Sequence, residues 1–101
     1  MQELGQAQRR IIKVIFALAG NELMGLAPVE VQRAVGIPNA STALRDLEVL
    51  RDLGIAEQIQ ETGRWRLGPR LVQIARDFEL SLSKAAAKVR DIENRYSRSP
   101  R

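Results

Sequence analysis

The apolar residues of this 101-residue chain change their repeat twice, and those two changes limit the folds open to it. Up to Leu53 they recur every three or four positions, the period of a helix buried along one side. From Ile55 to Leu67 they alternate, the period of a strand. From Leu71 the helical spacing returns and runs to Tyr96. The expected architecture is mainly α with a small β-hairpin: three short helices, the hairpin, then one long helix.

Glycine and proline set the boundaries. Leu4, Ala7, Ile11, Ile15 and Leu18, widened by Ile12, Phe16 and Ala19, mark a first helix over about 6–19, stopped at Gly20-Asn21. Pro28 suits the first position of a second, short helix with Val31, Ala34 and Val35 inward and Gly36 at its end. After the tight turn Ile37-Pro38-Asn39, a third helix occupies about 40–53. Its inner face is Ala43, Leu44, Leu47, Leu50 and Leu53, and Gly54 stops it. Glu61-Thr62-Gly63 reads as a three-residue hairpin loop with Gly63 left-handed. That loop sets Ile59 opposite Trp65 and turns Arg64 and Arg66 to the other face. Gly68-Pro69 opens the long helix, about 70–96. The chain therefore divides into a compact domain over 1–68, a helix over 69–96 and a frayed basic tail over 97–101.

Composition removes most catalytic chemistry. With no Cys and no His, disulfides, Cys/His zinc sites, Ser-His-Asp triads and thiol chemistry are excluded. Glu57 and Glu61, or Asp77 and Glu79, pair in sequence but read as solvated charges, so no enzyme, cofactor or metal is expected. The charge is +4, and thirteen of the sixteen basic residues are Arg, whose planar fork suits phosphate and guanine edges. Arg9-Arg10 followed by an apolar stretch outlines a secretory signal, but Lys13 breaks it. A cytoplasmic protein with no membrane span is the expectation, with export as the alternative.

Three short helices followed by a hairpin are the parts of a winged helix-turn-helix. A helix ended by Gly and a short turn hold the next helix across it, exposing that helix's N-terminus to the major groove. Asn39, Ser41 and Thr42 are small polar residues at that N-terminus, and Arg45 lies one turn beyond Ser41. Arg64 and Arg66 on the hairpin suit the backbone or minor groove. Capping is the commoner use of Asn39, Ser41 and Thr42, and it is compatible with DNA contact. Trp65 is assigned to the core, and an aromatic content of 4% disfavours binding by stacked bases.

The stretch Gly36-Ile37-Pro38-Asn39-Ala40-Ser41-Thr42, with Arg45, Leu47 and Gly54, resembles the turn and recognition helix of the IclR-type transcriptional regulators. Gly63-Arg64-Trp65-Arg66-Leu67-Gly68-Pro69-Arg70-Leu71 is similar to that family's wing strand and linker entry. The resemblance spans about Ile11 to Ala75. It implies a winged helix-turn-helix that binds double-stranded DNA, as a short transcriptional regulator or phage-type accessory factor. Family members carry a large C-terminal effector domain, for which this chain has no room, so no small-molecule effector is expected. Ala40 stands as an insertion before Ser41, and Asp46 occupies a position apolar in the family.

Asp46, Glu48 and Asp52 outweigh Arg45 and Arg51, leaving the third helix at net −1. This favours a second reading, a winged helix used for protein–protein assembly. The long helix carries its own expectation. Leu71, Phe78, Ala85 and Ile92 at d, with Ala75, Leu82, Val89 and Tyr96 at a, form a heptad seam. Lys88 at g would face Glu93 at e of a parallel partner. A homodimer through Leu71, Phe78, Leu82, Val89 and Ile92 is expected, against the alternative of a helix folded back on the first.

Overall fold

The computed structural model describes residues 4–98. Its elements, in chain order, are α1 (Gln6–Leu18), α2 (Pro28–Val35), α3 (Ala40–Asp52), β1 (Ala56–Gln58), β2 (Trp65–Leu67) and α4 (Pro69–Ser97). The strands form one antiparallel two-stranded sheet. No helix among the described residues is long and apolar enough to cross a membrane. Two compact units are present, Met1–Leu71 and Val72–Arg101.

In the first unit, α2 begins with Pro28 at its first turn, and Glu30 Oε1 accepts the Ala27 N–H at 2.8 Å. It ends at Gly36, whose left-handed φ of 83° lets the Gly36 and Ile37 N–H groups donate back to the Gln32 carbonyl. That geometry turns the chain sharply into α3. The core gathers Val14 and Leu18 of α1, Val31 of α2, Ala43, Leu47 and Leu50 of α3, and Ala56 and Trp65 of the hairpin.

The inward face of α1 differs from the expected stripe. Ile11, Val14, Ile15 and Leu18 pack inward, while Leu4 is 91% and Phe16 71% exposed. Residues 11–16 are apolar nearly all the way round, so their spacing allows several faces; the positions of α2 and α3 select one. On α3 the same selection turns Leu44 and Leu53 outward and draws Asp46 inward.

The hairpin register is shifted by one residue from the expected pairing. Gln58, not Ile59, lies opposite Trp65, with Glu57 opposite Arg66. The loop is four residues long, because the Ile59 N–H donates to the Arg64 carbonyl at 2.7 Å and the Gly63 N–H to the Ile59 carbonyl at 2.7 Å. Gly63 is left-handed, as expected. Ile59 therefore shares the face of Arg64 and Arg66, and Trp65 has its own face inward.

A third piece of extended chain joins the sheet. Leu26, in the α1–α2 loop, forms a two-bond bridge with Trp65: Leu26 N–H to Trp65 carbonyl at 2.7 Å and the reverse at 2.8 Å. Gly25 is needed there, since a Cβ at its φ of +70° would stand 2.7 Å from the Trp65 carbonyl oxygen. β2 is thus paired on both edges at Trp65.

The second unit is the remainder of α4. The helix is unbroken by Ser81 or Ser83, and its 29 residues extend about 43 Å. Every described residue from Val72 to Arg98 is exposed. Ser97, assigned to the tail, is the last helical residue, and positions 99–101 lie outside the described residues.

Trp65 is 1% exposed and belongs to the core. Trp65→Ala is expected to lower unfolding free energy by about 3–5 kcal/mol in urea titrations. A melting temperature unchanged by the substitution would contradict this role.

Candidate nucleic-acid interface

The N-terminal turn of α3 brings three of the predicted residues into one cluster. Asn39 is the N-cap, and its Oδ1 accepts the Thr42 N–H at 2.9 Å. The same oxygen accepts the Ser41 and Thr42 hydroxyls, each at 2.8 Å. The hydroxyl protons are thereby turned toward the cap. Phosphate oxygens only accept, so the Asn39 amide, with two N–H donors on Nδ2, is the cluster's outward donor. Asn39 and Ser41 are exposed and Thr42 is half-buried. Four residues after Ser41, Arg45 is exposed and has no hydrogen bond or ion pair among the described residues. The exposed helix N-terminus adds its own partial positive charge.

Arg64 and Arg66 are placed differently. Arg66 Nε meets Glu57 Oε2 directly across the hairpin at 2.6 Å, and its Nη1 donates to the Glu22 carbonyl at 3.4 Å. Arg64 Nη2 pairs with Glu30 Oε1 at 2.9 Å, while Nε and Nη2 donate to the Met24 and Gly25 carbonyls, each at 3.0 Å. Both guanidiniums fasten the hairpin to the α1–α2 loop or the start of α2. Two Arg and two Glu leave that cluster neutral. Arg51 is also engaged, 5.2 Å from the Trp65 ring centre, with Nη1 donating to Gln58 Oε1 at 3.4 Å.

Asp46, one of the three acidic residues behind the net −1 of the third helix, does not lie on its exposed surface. It is 5% exposed and takes a two-pronged grip from Arg10 of α1: Nε to Oδ2 at 2.6 Å and Nη2 to Oδ1 at 2.8 Å. The hydrogen bond to Asp46 holds the Arg10 pKa above its ordinary value against the opposing effect of burial. With Asp46 neutralised inside, the exposed charges of α3 are Arg45 and Arg51 against Glu48 and Asp52, net zero. The pairing had a signal in the sequence. Asp46 falls three residues after Ala43 and four before Leu50, at a core position, where a carboxylate requires a partner.

Asp46→Ser strands the Arg10 guanidinium beside the core and is expected to cost about 2–4 kcal/mol of stability, the upper end reduced because Arg10 is partly solvated. Arg10→Met combined with Asp46→Leu should recover most of that loss. Equal losses in the single and double variants, measured by denaturant unfolding, would show that the pair is not the link between α1 and α3.

Comparison of the chain with protein-family models, curated proteins and solved structures finds no match.

Proposed function

We propose that this protein binds double-stranded DNA as a winged helix-turn-helix, with α3 entering the major groove, and acts as a short transcriptional regulator. The observation that carries the reading is the exposed Arg45, unpaired among the described residues, one turn along α3 from a capped N-terminus that still offers the Asn39 amide. A bidentate Arg to a guanine edge, or a charge-assisted bond to phosphate, is the chemistry such a group supplies. The resemblance of 36–54 and 63–71 to IclR-type regulators points the same way. Ser41 and Thr42 act in this reading chiefly by holding Asn39. Arg64 and Arg66 act as the supports of the hairpin, adding phosphate contacts through the faces their carboxylate partners leave open.

The competing reading, a protein-docking α3, draws on the outward Leu44 and Val49 beside Glu48 and Asp52. The neutralised Asp46 removes much of its electrostatic support.

We further propose that two copies associate through α4 as a parallel coiled coil. Phe78, Leu82, Val89 and Ile92 lie on its exposed seam, each 45% or more exposed in the single chain. Lys88 and Glu93 supply an opposite-charge match between chains at g and e. Two heads joined in this way read a two-fold site with half-sites one or more helical turns apart.

Arg45→Ala should cost about 1–3 kcal/mol of duplex affinity while leaving the melting temperature unchanged. Unchanged affinity in the folded variant, with loss of a protein partner instead, would favour the docking reading. Light scattering should give about twice 11.3 kDa for the native chain. Leu82→Asp with Val89→Asp should yield a folded monomer with much weaker binding to a two-fold site. A native monomer at tens of micromolar would refute the coiled coil.

A further inference from the structure

The most basic element of the first unit is α1, which the DNA reading does not use. Between Gln6 and Leu18 it carries Arg9, Arg10 and Lys13 and no acidic residue. All three basic residues line one open concave pocket of about 350 Å³, which is bordered on its other side by Val35 at the end of α2 and by Gly36 and Pro38 of the turn before α3. No carboxylate is among its described lining residues. The volume is about twelve times a water molecule's ~30 Å³ share of the liquid, enough for a phosphate group with some of its hydration.

Two features make this more than a run of surface charge. Arg10 is held in place by its grip on Asp46, so its position is set from α3. Lys13 is exposed and has no hydrogen bond or ion pair among the described residues, which leaves its ammonium available. The pocket also has a definite relation to the proposed interface. Pro38 immediately precedes Asn39, so its wall lies about 4 Å along the chain from the α3 N-cap. A helix in the middle of a groove about 12 Å wide has a phosphodiester strand on either side of it.

We infer that the pocket between α1 and the α2–α3 turn receives a backbone phosphate of the duplex that α3 enters, with Lys13 as its cation and Arg10, whose charge Asp46 already balances, as a fixed guanidinium in its wall. The inference rests on the DNA-binding reading and names a contact that reading lacks. A phosphate contact carries no sequence information, so this one positions α3 in the groove and leaves base choice to α3 itself.

The test measures binding of the full chain to two unrelated duplexes by fluorescence anisotropy over a series of salt concentrations. The proteins compared are wild type, Arg45→Ala, Lys13→Gln and Lys13→Glu, with circular dichroism to confirm folding. Lys13→Gln should weaken both duplexes alike, by roughly three- to tenfold at low salt, and reduce the slope of log affinity against log salt by about 1. Lys13→Glu should weaken both further. Folded Lys13 variants that keep the wild-type affinity and slope, while Arg45→Ala loses affinity, would overturn the pocket and leave the α3 reading intact. Failure of the wild-type chain to bind either duplex would overturn both.

Discussion

The first unit turns on Trp65. Its backbone is bonded to Leu26 on one side and lies opposite Gln58 on the other, and its ring sits in the core with Leu47 and Leu50. A single residue thus joins the α1–α2 loop, the hairpin and α3. Arg51 covers the ring from α3, converting part of a charged surface into a lid over the tryptophan. Without this wedge a two-stranded hairpin of three-residue strands has too little buried surface to persist. The orientation of α3, and with it of Arg45, follows from what the wedge holds.

Three arginines of the first unit serve its architecture. Arg10, Arg64 and Arg66 each meet a carboxylate from a different element or strand. These pairs are worth more for orientation than for net stability, since part-exposed pairs contribute little once desolvation and screening are counted. The Arg10–Asp46 pair is the exception by burial, and it fixes α1 against α3 through two parallel bonds. Arg45 on α3 and Lys13 on α1, neither with a hydrogen bond or ion pair among the described residues, lie on the two elements that the Arg10–Asp46 pair joins.

The second unit has the opposite character. α4 buries no residue of its own and exposes large apolar side chains along its length. A helix of this kind gains its stability from a partner surface more than from intrinsic propensity. In the proposed dimer its folding and its association are one event, so DNA affinity depends on protein concentration.

The sequence by itself determined the order and kind of the elements, because the repeat of apolar residues is a local property. The helix ends at Pro28, Gly36 and Pro69 were legible for the same reason: φ is limited by sterics within the residue. The Asn39 cap was legible as one of two compatible roles. Only the tertiary structure decided which face of α1, apolar nearly all the way round over residues 11–16, turned inward. It also decided the one-residue hairpin register, since the bond between Ile59 and Arg64 closes a loop over residues 60–63 and sets Gln58 opposite Trp65. The Leu26 bridge was invisible in a loop with no strand periodicity. The carboxylate partners of Arg10, Arg64 and Arg66 lie from nine to thirty-six positions away in the chain. A charge count assigns every ionised group to the surface, and only packing shows which of them have already found their counter-charge.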